Sequence, residues 1–461
     1  MNWEAFIVGL FPEHLLLLGI VALLLADIVA DRPRGALWIS IGVAAAAAGI
    51  AGMLHVMQYT ASPFPGHFSV DAGTFVAKSV VLAFAVPVFL MARDDFEDNS
   101  RFAVLVLSSL YGFCLLVSSD SFLTLFLGLE IMSIPVYVLV MLAFRRPESA
   151  EAALKYLVLG GAATATFLMG VSLLFGATGS MALSAFAAAL GSPGVLAKAA
   201  VVLVIVAFML KAAVVPFHAW APDAYEGATV PVTAFMATII KAGALIAVAR
   251  LFGTAEVSGT IVAVLGVLPL VSIVWGNLAA MRQAGFRRMI AYSSIAHAGY
   301  LFYAMLGDGP GRFQAVAFYV IAYGLMNLLA FAAIPRGDEG TRDRLENLRG
   351  LFHRQPFAAV LIAVAMFSLA GIPPFPGFVA KFLIFTNVMA AGYTAWAVLG
   401  LVGSYLGIYF YLRVVQFMFM SPQDAPAPAR APVLVSAIVC LVPTVLVTVF
   451  PGWFLTRLLI Q

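Results

Sequence analysis

The stretch from Met209 to Gly243, MLKAAVVPFHAWAPDAYEGATVPVTAFMATIIKAG, is apolar enough to lie in hydrocarbon, yet it carries two lysines and a proline that interrupts any continuous helix. Lys211 precedes Pro216 by five residues, so it falls near the end of a half-helix whose last carbonyls lack partners and favour a cation. A second interrupted stretch, SLAGIPPFPGFVAKF from Ser368 to Phe382, places Lys381 after Gly371, Pro373, Pro374, Pro376 and Gly377. That lysine is expected about one turn into a new half-helix, whose exposed amides disfavour positive charge. Irregular backbone at such depth is tolerated only where protein buries it or a wet cavity adjoins it, so both breaks belong on a polar path.

The surrounding chain has the same character. Of 461 residues, 63% are hydrophobic and 10% charged, with a mean hydropathy of +1.04; soluble domains carry about 25% charged residues. A water-soluble fold is excluded. The apolar runs are long and do not alternate, which excludes a β-barrel and predicts an all-α polytopic membrane protein. About fourteen spans are expected, near 11 to 30, 36 to 57, 72 to 92, 102 to 118, 121 to 144, 152 to 176, 196 to 225, 230 to 252, 257 to 279, 288 to 306, 313 to 334, 356 to 391, 394 to 419 and 431 to 455. The first run has no basic n-region or small-residue cleavage site and reads as a retained helix.

Arginine placement gives an orientation, because short cytoplasmic loops collect positive charge. Arg32, Arg34, Arg93, Arg101, Arg145, Arg146, Arg282, Arg287, Arg288, Arg336, Arg342, Arg344, Arg349, Arg354 and Arg430 fall on one side, and only Arg250, Arg312 and Arg457 on the other. Both termini are thereby expected outside, in the periplasm, with the longest soluble stretch, Pro335 to Gln355, in the cytoplasm. A net charge of +3 is too small to gather nucleic acid. Cys114 and Cys440 read as packing residues, and Gly307, Gly309 and Gly311 as turn punctuation beside Pro310. The six histidines show no close pair at helical spacing that would hold haem or zinc.

The lysines behave oppositely to the arginines. There are six, at positions 78, 155, 198, 211, 241 and 381, and all but Lys198 lie inside apolar runs. A charge at the membrane centre costs roughly 2.5 to 3.5 kcal/mol on insertion scales. Arginine cannot release its proton, whereas lysine can, so lysine at depth reads as selection for a titratable cation. Glu130, in LGLEIMSIP, stands as the one carboxylate deep in a span, either as the fixed counter-ion of a lysine or as a charge that shifts that lysine's proton affinity. Lys241 lies in a run without a break. Lys155 has Glu151 one turn before it, which an ordinary interfacial pair also explains. Lys78 follows Asp71 by one heptad as an internal counter-charge, and His218 and His297 are either relay groups or satisfied polar residues.

The two broken spans are the seventh and twelfth, and Lys211 and Lys381 stand 170 residues apart. Spans 4 to 8 then match spans 9 to 13, and an odd-numbered unit followed by its copy enters the membrane from opposite sides, an inverted repeat typical of transporters. The expected division is 1–100 for helices 1 to 3, 101–253 for the first repeat, 254–420 for the second and 421–461 for the last helix.

These residues resemble a known family. Met209 to Gly243 is similar to the seventh and eighth helices of the antiporter-like subunits of respiratory complex I, NADH-quinone oxidoreductase, and EAALKYLVLGG from Glu151, YSSIAHAGY from Tyr292 to Tyr300 and SLAGIPPFPGFVAKF agree with it. Within that group Tyr225, Glu226 and Gly227, then Pro231, Val232 and Thr233, with Lys241 following, resemble the subunit N type, counterpart of mitochondrial NADH dehydrogenase subunit 2. The M type usually has glutamate where Lys381 stands, and the L and M types tend to have histidine near Lys241. The resemblance implies a proton-translocating subunit of a bacterial inner-membrane translocase. NADH, FMN, iron-sulfur clusters and quinone would be handled by other subunits, with none of these cofactors in this chain. Its partners would be the M-, L-, K-, J-, A- and H-type subunits and the lipid bilayer.

The resemblance assigns Glu130 to modulate Lys211, Lys241 to a central hydrophilic axis, Lys381 to the outer exit, and Lys155 to a place near the Glu130 and Lys211 pair. Val379, Ala380, Ala228 and Val230 depart from the family pattern without removing a titratable group. A subunit of a multi-subunit sodium/proton antiporter of the Mrp type, which shares Lys211 and PFHAW, is the alternative. A non-transporting scaffold is a third reading, but it has no need of lysines on four different membrane helices.

Overall fold

The computed structural model describes residues 3–29, 35–96, 98–143, 147–192, 194–335, 344–420 and 434–458. Arg32, Arg34, Arg145, Arg146, Arg336, Arg342 and Arg430 lie outside the described residues, as do 336–343 of the Pro335 to Gln355 loop and 421–433. In chain order the principal helices are α1 (Phe11–Val29), α2 (Ala36–Val56), α3 (Ala72–Met91), α4 (Asn99–Ser118), α5 (Phe122–Met141), α6 (Pro147–Thr178), α7 (Val195–Lys211), α8 (Trp220–Gly227), α9 (Val230–Phe252), α10 (Thr260–Met281), α11 (Phe286–Tyr303), α12 (Gly309–Ala333), α13 (Pro356–Ala370), α14 (Pro376–Ala390), α15 (Thr394–Met420) and α16 (Leu434–Val449). Ten of them, all but α7, α8, α11, α13, α14 and α16, are long and apolar enough to cross a membrane. The fold is the all-α membrane bundle expected.

Local chemistry sets the helix starts. Asp71 Oδ1 accepts from the Thr74 amide at 2.7 Å and caps α3, Asp98 caps α4, and Ser121 with Thr124 forms a reciprocal capping box at the start of α5. Gly371, at φ +81°, ends α13 in the left-handed conformation that favours glycine. One element escaped the hydropathy reading: an antiparallel hairpin of β1 (Ala61–Phe64) and β2 (Phe68–Val70), with Ala61 opposite Val70, turning through Gly66. Strands this short leave no run of alternating residues.

Burial orders the bundle. The most apolar window of α9 is 100% buried and that of α12 94%, against 28% for α1 and 33% for α6. Thus α9 and α12 form the interior, while the outer helices turn leucine and valine toward lipid. Packing repeats along the chain: α4 lies on α5 as α10 lies on α11, and α6 on α7 as α12 on α13. In both of the first pairs glycines let the backbones touch. A Cβ on Gly112 would meet the Met132 amide nitrogen at 2.2 Å, and one on Gly276 the Ala296 amide nitrogen at 2.7 Å.

Both expected breaks are present, between α7 and α8 and between α13 and α14, each containing a cis X-Pro bond. The first half-helices end at Lys211 and Ala370, an offset of 159 residues rather than the 170 that separates the two lysines. Lys211 therefore closes its first half-helix, whereas Lys381 belongs to the second half of its pair. The run around Lys241, expected to be unbroken, contains a π-helical turn over Met236–Ile240 directly before it.

Gly112→Ala is expected to cost about 1–3 kcal/mol or more, since a backbone neighbour cannot yield to the added methyl. Gly49→Ala, whose Cβ meets nothing within 4 Å, is expected to be silent. The amount of folded protein recovered from membranes at rising temperature distinguishes the two.

Candidate functional site

Helix α5 brings Glu130 toward the C-terminal end of α7. Lys211 Nζ lies 3.1 Å from Glu130 Oε1 and donates to Ser133 Oγ at 3.3 Å, while Thr164 Oγ1 of α6 donates to the same carboxylate oxygen at 2.6 Å. Glu130 and Lys211 thus form an ion pair, an arrangement that both readings of Glu130 require. Their side chains retain 21% and 11% exposure and border a small cavity with Phe126, Ala163 and Phe208. Neither side chain is fully enclosed.

Lys241, near the middle of the fully buried α9, solves its charge differently. Its Nζ donates to the carbonyl of Ser294 at 2.5 Å and to Ser294 Oγ, and Tyr225 OH stands 3.2 Å from that Oγ. Lys381 reaches back along its half-helix and donates to the Ala370 carbonyl and to Ser404 Oγ, both at 3.0 Å, with the Tyr300 ring 4.9 Å below it. The end amides of α14 were expected to oppose this charge. Helical side chains lean toward the N-terminus, so the ammonium instead meets the last carbonyl of α13, which welcomes a cation. Neither Lys241 nor Lys381 forms an ion pair among the described residues.

Between these two lysines runs α11. Ser294 serves Lys241, and Ser293 shares a hydrogen bond with Tyr411 OH. Tyr411 OH also lies 3.1 Å from His297 Nε2, and His297 Nδ1 lies 2.7 Å from Tyr319 OH. His297 is 2% exposed and both ring nitrogens are engaged. The motif YSSIAHAGY is thus a strip of hydroxyls and one imidazole, with Tyr300 at its far end beside Lys381. Ser293, Ser294, Ser404, Tyr225, Tyr319 and Tyr411 were not singled out by sequence as site residues. A concentration of tyrosine and serine on apolar helices was the available signal.

Other expected members stand apart. Lys155 is not at the Glu130 and Lys211 pair: it is 43% exposed, 2.6 Å from Glu151 and 2.7 Å from Asp223, and Arg288 joins Asp223 to Glu226 at 2.9 and 2.7 Å. Nine residues, about 13 Å of helix rise, separate Lys155 from Thr164 on α6. His218 accepts from Trp275 Nε1 at 3.0 Å beside a half-exposed indole, away from the α11 strip. Lys78 does not pair with Asp71, which caps α3. It lies 2.6 Å from Glu13, with exposures of 0% and 2%, and Ser118 Oγ donates to Glu13 at 3.4 Å. Glu130 is accordingly not the sole carboxylate within a span. Among the described residues no group of three or more His, Cys, Asp or Glu side chains is placed to hold a metal ion.

Residues 119–407 match the family described as NADH:quinone oxidoreductase/Mrp antiporter, transmembrane. A relative from Pelobacter propionicus, named NADH-quinone oxidoreductase subunit N, is 38% identical over 92% of this chain and 91% of its own length. A chain of respiratory complex I from Thermus thermophilus is 35% identical, with a TM-score of 0.85 over 97% of this chain and 99% of that one. A chain of the Mrp complex from Dietzia, at 22% identity and a TM-score of 0.83 over 99% of this chain and 96% of that one, shares the fold.

Removing one member of the Glu13 and Lys78 pair leaves a charge unpaired in the interior, at an expected cost of about 3–5 kcal/mol. Lys78→Met alone should sharply lower the folded protein recovered from membranes, and Glu13→Leu with Lys78→Met should restore most of it. Equal loss in the single and double variants contradicts the pairing.

Proposed function

The chain belongs to the family of NADH-quinone oxidoreductase subunit N, a subunit of an oxidoreductase complex, and we propose that it carries protons across the bilayer through Glu130, Lys211, Lys241 and Lys381. The observation that carries this reading is the set of three lysines on three helices, α7, α9 and α14, each held within the bundle by hydrogen bonds: a carboxylate and a serine for Lys211, a serine and backbone for Lys241 and Lys381. Structural ion pairs would neutralise each ammonium. Among the described residues two of the three have only dipoles and aromatic rings as partners, so no ion pair seen here must break when a proton leaves.

With Glu130 close, Lys211 is held as a cation; when the carboxylate turns away or takes up a proton, Lys211 can pass its own toward the centre. Lys241 then exchanges a proton with Ser294, and the hydrogen-bonded run Ser293, Tyr411, His297 and Tyr319 stands on the way to Tyr300 and Lys381, with a gap to be crossed at each end. Lys381, in the second break, serves as the exit gate. Lys155, with Asp223, Glu151, Arg288 and Glu226, forms a half-exposed charged cluster suited to gathering protons at one mouth. His218, bonded to Trp275, takes a peripheral part at most.

On this reading NADH, FMN, iron-sulfur clusters and quinone act in other subunits, and the chain sits in the bacterial inner membrane with both termini in the periplasm beside M-, L-, K-, J-, A- and H-type partners. Electron transfer there is coupled to the relay here.

A positioned proton-transfer group typically contributes about 100-fold to 10,000-fold. Lys211→Ala in the intact complex should therefore reduce quinone-coupled proton pumping at least tenfold while assembly is retained; full pumping by an assembled variant refutes the role. Tyr411→Phe, which keeps the ring and removes the bridge, should slow pumping and enlarge its solvent deuterium isotope effect, whereas Lys155→Ala should act only mildly.

A further inference from the structure

The end of the bundle where α3 and α12 begin and α4 and α9 finish holds a cavity of about 480 Å³, walled by Asp71, Thr74, Val117, Arg250, Thr254 and Phe313 among others. It continues into a narrower apolar groove of about 80 Å³ between α3 and α12, which shares Ala72, Gly73, Ala77, Ile246 and Phe313 with it. From Phe313 through Ala317 to Ile321 the groove follows α12 for about 12 Å, close to the reach of one leaflet of a core about 30 Å thick.

Two arginines stand at this end, and they differ. Arg312 is 1% exposed and spends its donors on the carbonyls of Gly253, Ala255 and Gly307, pinning the loop that rims the cavity. Arg250 lines the cavity, donates to the carbonyl of Val117 and has no carboxylate at ion-pair distance among the described residues, so its guanidinium has donors to spare for a ligand there. Asp71 commits Oδ1 to Thr74 and leaves its other oxygen on the same wall.

We infer that this is a phospholipid site: a phosphodiester on the Arg250 guanidinium, an amine-bearing headgroup toward Asp71, and one acyl chain in the groove between α3 and α12. The polar mouth, the apolar throat and the match of depth to a single leaflet select an amphiphile over a free anion. Through Ile246 the bound chain touches α9, the helix that carries Lys241. This site is independent of the proton path and of its fate.

The test uses the whole complex in lipid nanodiscs containing phosphatidylethanolamine with a diazirine near the end of its acyl chain. After illumination, adducts are expected on α3 between Val76 and Val81 and on α12 between Ala317 and Ile321. Ala317→Trp, which fills the groove, should lower those adducts at least tenfold while leaving adducts on the lipid-facing side of α15 unchanged; Val80→Trp serves where the first variant assembles poorly. Arg250→Gln should weaken retention of phosphatidylethanolamine through detergent exchange severalfold. Labelling confined to outward-facing helices, labelling indifferent to the tryptophan, or equal protection by inorganic phosphate alone overturns the proposal.

Discussion

A charge placed in hydrocarbon has to find its partner inside the protein, because no water waits there to solvate it. Four lysines within the bundle meet that constraint in three ways. Lys78 is locked to Glu13 beyond the reach of solvent. Lys211 shares the Glu130 carboxylate with Thr164 and donates as well to Ser133. Lys241 and Lys381 rest on serine hydroxyls and backbone carbonyls. The series separates structure from transport: the more completely an ammonium is matched by a buried anion, the less a proton can leave without rupture. Lys78 therefore suits a brace for the first helices, and the other three suit the stations of the proposed relay.

The breaks turn this constraint to use. Interrupting a helix at depth exposes carbonyls that seek donors, and both breaks spend theirs beside a lysine. Lys211 is itself the last residue of α7, while Lys381 arrives from the far side of its break to meet the carbonyl of Ala370, the last residue of α13. The lysines differ in sequence register, yet each ammonium lies at the closing end of a first half-helix. Matched glycine contacts in α4 with α5 and in α10 with α11 extend the likeness from the breaks to the packing around them.

The spans were readable because hydrocarbon demands about twenty consecutive apolar residues, and the breaks because proline cannot donate to a helix. Depth alone marked Glu130 as a partner for some lysine, and the family likeness named Lys211. What stayed hidden depended on contacts between helices distant in sequence. Nothing near Lys241 announces Ser294, 53 residues on. Glu13, in FPEHLL at the start of α1, looks like an interfacial residue until α3 and α4 close over it. Lys155 was drawn toward Glu130 by family likeness, but the rise along α6 carries it to an exposed cluster instead.

The α11 strip shows why serine and tyrosine suit such a place. An ammonium only donates, so while Lys241 is charged the Ser294 hydroxyl oxygen accepts from it. A neutral amine has a lone pair, and the same hydroxyl can then turn and donate. Tyr411 stands between Ser293 and an imidazole nitrogen, and whichever His297 nitrogen carries the hydrogen fixes which neighbouring tyrosine must donate. Reversing the chain needs rotation about C–O bonds and one tautomer change, motions that fit inside a close-packed interior where helices cannot shift freely. The most buried helices of the bundle can thus stay still while the hydrogen-bond pattern running between them changes direction.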